Sequence, residues 1–319
     1  MSPSIPKTMK AAVIDRFGGP EVLHVASIPV PELGDREILI RVDTAGIGSW
    51  DPWLREGGMG GDRFPQILGS DGSGTVAAVG SKVHRFKAGD RVYGYTFDNP
   101  KGGFYAEYAA VPEDAAALIP TNIGMEEAGA LAACGLTAIA GLDKLKIKPG
   151  RAVMVLGASG CVGHLALQLA KRQGARLLAV ASGRDGVALV KRLGADQAVN
   201  GKAADVAKAA RKFAPEGLEA ALVFVNSRKL AEALKQVKQG GIIAYPEGVE
   251  PEPKASAGVK VRVFNGLASP DAFERLNALI AQGPFRVEIS KAYRLEDLPR
   301  AHREVPGHHI GKPVVKVRA

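Results

Sequence analysis

Hydrophobic positions change their spacing part-way along the chain. Over the first hundred residues they fall in short runs rich in β-branched side chains: Ala11 to Ile14, Glu37 to Val42, Gly74 to Val79 and Arg91 to Tyr95. Turn signals such as Gly18-Gly19-Pro20 and Gly89-Asp90 separate them. Many short strands at this spacing predict a barrel-like β domain. Near Glu126 helical periodicity begins, and strands then alternate with amphipathic helices. The strands are Ala152 to Leu156, Leu177 to Val180, Ala220 to Val225 and Gly241 to Ala244. The helices run from about Val162 to Gln173, up to Gly194, and from Lys229 to Lys238. This alternation predicts an α/β fold with a parallel doubly wound sheet. Gly248 to Ala257, with Pro251 and Pro253, reads as a loop. Val259 to Phe264 reads as a further strand and Asp271 to Gln282 as a helix. Pro313 to Val317 reads as a last strand, returning to the first domain.

Composition changes this picture little. The 319 residues suit two domains, and 46% hydrophobic with 24% charged residues is ordinary for a globular protein. The net charge of +9 comes from scattered Lys and Arg. It favours an anionic ligand; no specific nucleic acid is expected. Cys134 and Cys161 give neither a disulfide framework nor a zinc-ribbon spacing. The opening MSPSIPKTMK lacks the apolar core of a signal peptide, and Ala128 to Leu142 is too short to span a bilayer. A cytoplasmic location without membrane association is the expectation.

The segment with most chemical information is Gly157-Ala158-Ser159-Gly160-Cys161-Val162-Gly163, between a strand and a helix. In that context a glycine triplet reads as a dinucleotide turn. One glycine permits the tight bend, the next lets backbone approach a pyrophosphate, and the third allows close helix–strand packing. The helix N-terminus presents unpaired N–H groups to the phosphates. After the next strand comes Ser182-Gly183-Arg184-Asp185. No carboxylate sits at the strand end to hold ribose hydroxyls, while Ser182 and Arg184 suit a 2′-phosphate. The expected cofactor is NADPH.

Further blocks occur in order along nearly the whole chain. They include Gly18-Gly-Pro-Glu-Val-Leu, Pro65-Gln-Ile-Leu-Gly-Ser-Asp-Gly-Ser-Gly, Phe86-Lys-Ala-Gly-Asp-Arg-Val, Phe104-Tyr-Ala-Glu-Tyr, Leu193-Gly-Ala-Asp and Gly311-Lys-Pro-Val. With them the chain resembles the zinc-independent, zeta-crystallin-like quinone oxidoreductases of the medium-chain dehydrogenase/reductase superfamily. The resemblance implies a GroES-like catalytic domain (residues 1–122 and 292–319) into which a Rossmann domain (123–291) is inserted. It implies that Gly48, Ser49 and Asp51, with Thr137, lie near the nicotinamide, and that Gly160, Cys161 and Val162 hold the pyrophosphate. Val225, Asn226, Tyr245 and Pro246 would line the cofactor, and Phe264, Asn265 and Lys312 would close over it. A homodimer joined through the edge strand Val259 to Phe264 is also implied.

Zinc-dependent relatives place ligands where this chain has Gly48 or Ser49, Ser70-Asp71 and Cys134. One thiol does not make a zinc site, so no metal is expected. Direct hydride transfer to a quinone or another small, apolar carbonyl acceptor follows, with Asp51, Arg55 and Tyr105 as candidate catalytic groups. The family pattern Asn-x-x-Asp-x-Tyr is altered here to Gly48-Ser-Trp-Asp-Pro-Trp53. Trp50, Trp53, Met59 and Phe104 are expected to wall the substrate pocket beneath a glycine-rich lip, Gly57 to Gly61. A 2-alkenal or enone reductase on the same scaffold is the alternative. A non-catalytic NADPH- or RNA-binding protein is a third reading.

Overall fold

A computed structural model describes residues 5–60 and 63–318. Gly61, in the expected lip, lies outside the described residues. In chain order the first elements are β1 (Thr8–Ile14), β2 (His24–Pro29), β3 (Glu37–Gly46), α1 (Asp51–Arg55), β4 (Gln66–Ile67), β5 (Asp71–Val79), β6 (Arg91–Tyr95), β7 (Tyr108–Pro112), β8 (Ala116–Leu118), α2 (Met125–Gly129) and α3 (Ala132–Leu145). Then follow β9 (Ala152–Leu156), α4 (Gly163–Arg172), β10 (Arg176–Ala181), α5 (Gly183–Arg192), β11 (Gln197–Asn200), α6 (Val206–Phe213), β12 (Leu218–Val223), α7 (Arg228–Leu234), β13 (Val237–Pro246), β14 (Lys260–Phe264) and α8 (Pro270–Ile280). The chain ends with β15 (Ile289–Arg294), α9 (Leu298–Glu304) and β16 (Lys312–Lys316). Two compact units result. One takes the residues up to Ala133, Ala268–Asn277 and those from Ile289 onward; the other takes Cys134–Leu267 and Ala278–Glu288.

The first unit is the GroES-like one. Its larger sheet runs β15-β16-β3-β5-β6-β8, with β7 also on β3, and its smaller sheet runs β2-β1-β4. Side chains on a strand point alternately to its two faces. Accordingly Ile38, Ile40 and Val42 of β3 enter one apolar core with Ala12, Ile14, Ala109 and Val111. Leu39 enters a second core with Ala11, Val13, Tyr108 and Ala110. The same three strands therefore feed two cores, one from each face. β16 pairs antiparallel with β3, Val314 opposite Gly46.

The second unit is a Rossmann sheet of order β11-β10-β9-β12-β13-β14, parallel at every pairing. All five residues of the central β9 are buried, which explains its unbroken apolar run: a parallel strand is covered on both faces. Two features differ from expectation. The helix expected to reach Lys238 stops at Leu234. Val237 continues the helical spacing set by Leu230, Ala233 and Leu234, yet it pairs instead with Leu218 in the parallel ladder. β11 and α6 were not anticipated; β11 is a four-residue edge strand, half-buried throughout, with no apolar run to mark it.

Candidate functional site

Every strand of the Rossmann sheet points the same way, so its C-terminal ends share one edge. Consecutive strands proceed in opposite directions from β9, to β10 on one side and β12 on the other. Ligands of such sheets bind outside the C-terminal ends at this switch point. The glycine turn lies there. Gly157 takes φ +79° immediately after β9, a conformation that disfavours any side chain. A Cβ on Gly163 would lie 2.1 Å from the Gly157 carbonyl oxygen, whereas one on Gly160 would meet nothing nearer than 3.5 Å. The third glycine therefore packs helix on strand, and the second leaves open space for a ligand. Ala158 and Ser159 are buried beneath the turn, and Cys161 and Val162 are half-buried at the mouth of α4.

Neighbouring strand ends bring further expected residues to this edge. Ser182 is the N-cap residue of α5, Gly183 has φ +74°, and Arg184 is exposed. Val225 reaches over the turn, its Cγ1 3.0 Å from where a Gly157 Cβ would stand. The other cofactor residues are engaged within the protein. Asn226 donates to the Pro251 carbonyl and accepts from the Ser227 N–H. Tyr245 is in the core, its hydroxyl bonded to Glu252, a partnership that pushes its pKa up to about 12. Pro246 ends β13. Asn265 donates to Glu247, Phe264 packs where a Gly141 side chain would stand, and Thr137 packs against Gly266.

A polar face of α4 secures the turn from behind. His164, Gln168 and Arg172, four residues apart, project from one side of the helix. The buried His164 binds the Gly160 carbonyl through Nδ1 (2.9 Å) and accepts the Glu288 N–H at Nε2 (3.0 Å). The acceptor role of Nε2 puts the proton on Nδ1. Gln168 bonds both backbone groups of Arg286, and Arg172 caps the carbonyls of Leu279, Ile280, Gly283 and Pro284. Burial lowers the His164 pKa, which keeps the imidazole neutral in both roles. The partners of this face among residues 279–288 lie more than a hundred residues away along the chain.

In the GroES-like unit the expected catalytic residues form a closed cluster. Tyr105 donates to Asp51 Oδ2 at 2.5 Å, and the Gly48 N–H donates to the same oxygen at 2.8 Å. Asp51 and Tyr105 are wholly buried. Burial pushes the Asp51 carboxyl up to about 6 despite these two bonds, and holds the Tyr105 hydroxyl well above its ordinary range. Arg55, 2% exposed, binds the Gly18 carbonyl, His302 Nδ1 and Glu56. All three are held by partners within the protein, which anchors α1 and its flanking turns. Lys312, expected over the cofactor, is buried with Asp71, its Nζ 2.7 and 2.6 Å from the two carboxylate oxygens.

A cavity of about 430 Å³ opens beside this cluster, lined by residues including Leu54, Met59, Ser70, Thr96 and Phe97. Of the four expected pocket residues, Met59 alone is among its walls. Trp50 stands behind the cavity: its indole N–H donates to Ser70 Oγ at 2.9 Å, and its ring is tilted against Phe97. Trp53 is half exposed, packed on Gly58, and Phe104 is fully enclosed under Gly72. Ser49 is exposed in the turn before α1.

A model of the alcohol dehydrogenase GroES-like domain matches residues 34–121, and a model of the zinc-binding dehydrogenase family matches residues 161–268. Quinone oxidoreductase of Mus musculus is 29% identical over 96% of each chain. The chloroplastic NADPH-dependent alkenal/one oxidoreductase of Arabidopsis thaliana is 34% identical over 88% of this chain and 71% of its own. The solved quinone oxidoreductase of Coxiella burnetii superposes with a TM-score of 0.86 at 30% identity, covering 98% of this chain and 100% of that one. This chain belongs to the zeta-crystallin-like quinone oxidoreductase family. As a medium-chain dehydrogenase/reductase it is an oxidoreductase that uses a nicotinamide cofactor, and the open face of its glycine turn fits that ligand.

One of the two matching models carries zinc in its name, but Ser70, Asp71 and Cys134 of this family member do not fit a zinc site. The Asp71 carboxylate already holds a buried ammonium, and Ser70 supplies a hydroxyl, a poor zinc ligand beside Cys or His. Among the described residues no helix is long and apolar enough to cross a membrane.

Proposed function

We propose that this family member is an NADPH-dependent, zinc-independent oxidoreductase that transfers hydride to a quinone-like acceptor. The observation that carries the cofactor choice is the end of β10. Ser182 stands at the N-cap position of α5 and Arg184 is exposed in its first turn, beside the glycine turn, with no carboxylate at the strand end. Ser182 and Arg184 would take the 2′-phosphate, and the amides around Gly160 the pyrophosphate. When bound, the nicotinamide ring supplies the hydride.

The protein's own contribution is orientation, exclusion of water and donors for the developing oxyanion. The ammonium buried on Asp71 supports chemistry without a metal, and a quinone suits it because the charge formed on reduction is delocalised. The likeness to quinone and alkenal/one oxidoreductases supports a small apolar or aromatic carbonyl compound as the substrate class. The likeness to the alkenal/one oxidoreductase supports a second reading, reduction of an enone. We infer a cytoplasmic enzyme, dimeric through β14, the last strand of its sheet, where Val263 is half exposed.

The test is NADPH oxidation by the purified protein with a panel of quinones and enones, before and after treatment with a chelator. Chelator-independent turnover, faster with quinones, is expected. Faster turnover of enones would move the assignment to the second reading, and no turnover with either class would overturn both.

A further inference from the structure

The cavity of the GroES-like unit holds two hydroxyl groups with hydrogen-bonding capacity left over. Ser70 is 3% exposed, and its Oγ accepts the Trp50 N–H. A serine hydroxyl has one proton and two lone pairs; no described residue accepts the proton. Thr96 Oγ1 is buried without any partner. Both residues line the same cavity, and the Thr96 N–H donates to the Ser70 carbonyl at 2.8 Å, which holds them side by side. Buried polar groups are ordinarily paired. The spare proton of Ser70 and the unpartnered Thr96 hydroxyl therefore suit the oxygen of a carbonyl compound, in a lining that mixes Leu54, Leu68, Met59 and Phe97 with Gln66, Asp98 and Asn99.

The structure also prepares the Ser70 donor. A Cβ at residue 48 would stand 2.4 Å from the Trp50 indole, so Gly48 admits the ring at this place. The Lys312 ammonium lies 5.7 Å from the centre of that ring. Donation into Ser70 Oγ strengthens the serine as a donor, because hydrogen bonds in a chain polarise one another.

We propose that Ser70 and Thr96 are catalytic residues that together seat the carbonyl oxygen of the acceptor, with Trp50 as the positioning residue behind Ser70. This rests on the reading of the chain as a hydride-transferring reductase. Hydride adds to an electrophilic carbon of the acceptor, and the π pair moves onto the oxygen held by the two hydroxyls. The oxyanion takes a proton from water on release.

The test compares wild type with Ser70→Ala, Thr96→Val, the double variant, and Ser70→Thr as the conservative replacement. Ser70→Ala also leaves the Trp50 N–H without its acceptor, so it is repeated in a Trp50→Phe background; thermal melts confirm folding. With NADPH and 9,10-phenanthrenequinone, kcat of Ser70→Ala and Thr96→Val should each fall about 100- to 1,000-fold, as on loss of an oxyanion donor. The affinity for NADPH should be unchanged, and Ser70→Thr should recover most of the rate. A second readout needs no hydride transfer: p-nitrophenolate, an oxyanion probe, should bind wild type and bind the double variant about tenfold more weakly or worse. If wild type reduces no acceptor but p-nitrophenolate binding still depends on both hydroxyls, the reductase reading fails and the seat stands. If the folded double variant stays within twofold of wild type in kcat, or in p-nitrophenolate affinity where no acceptor is turned over, the seat is overturned.

Discussion

Lys312 Nζ lies 2.6 Å from Asp71 Oδ2, and neither side chain is exposed to solvent. The pair joins the first residue of β5 to the first of β16, and Asp71 Oδ2 also accepts the Ala133 N–H at 3.0 Å. Removing one partner leaves the other as an uncompensated buried charge, typically a loss of about 3–5 kcal/mol. Lys312→Met and Asp71→Asn should each lose stability on that scale in urea titrations. The double variant should lose less than the sum, because it strands no charge. Additive losses would mean that the two charges do not interact.

Gly160 and Gly163 should respond oppositely to alanine. At residue 163 the added Cβ meets backbone at 2.1 Å, so the turn must shift; a loss of about 2 kcal/mol or more is expected on the scale of overpacking. At residue 160 its nearest neighbour is 3.5 Å away. Gly160→Ala should therefore stay within about 0.5 kcal/mol of wild type. Its methyl group would enter the proposed pyrophosphate site, so NADPH affinity should fall about tenfold or more. Equal NADPH affinity in Gly160→Ala and wild type would remove this turn from the cofactor site.

Arg184→Ala tests the 2′-phosphate assignment. A charge-assisted hydrogen bond to phosphate contributes about 1.5–3 kcal/mol. The variant should bind NADPH about tenfold or more weakly and NADH as well as wild type does. Equal weakening toward both cofactors would show that Arg184 acts on the fold and does not recognise the phosphate.

His302 gives a pH signature. Its pKa in the folded protein is lowered to about 3 by burial and by the Arg55 charge, against an ordinary value near 6.5 when unfolded. Below about pH 6.5 the unfolded chain therefore binds a proton that the folded chain refuses, and stability falls as the pH drops toward 3. The buried His164 acts in the same direction. Asp51 acts in the other: with its pKa raised to about 6, the folded state binds the extra proton, and stability falls as pH rises from about 4 to 6. In His302→Asn the acid-side loss between pH 6 and 4 should be shallower by about 1.4 kcal/mol per pH unit. An unchanged slope would mean that His302 is already protonated in the native protein.

What could be read from the sequence was local. The Gly157–Gly163 turn sits within seven residues, and its neighbours along the chain, β9 and α4, form by their own periodicity. Ser182 and Arg184 follow because the next strand must end beside the first. The GroES-like site could not be read this way. Asp51 is paired with Tyr105 across 54 positions, Arg55 with His302 across 247 and Lys312 with Asp71 across 241. Of the candidate catalytic groups, Asp51 and Tyr105 are thus each other's partners, while Arg55 pairs with His302. Ser70 reads in the sequence only as a missing zinc ligand, because nothing near it in sequence announces that Trp50 donates to it or that Thr96 lies alongside.

The most direct measurement is a fluorescence titration of the chelator-treated protein with NADPH and with NADH. NADPH should bind, and bind tighter than NADH by about tenfold or more, the scale of one phosphate-binding charge. Failure to bind either cofactor, or tighter binding of NADH, would contradict the assignment of the turn at Gly160 and the phosphate site at Ser182 and Arg184.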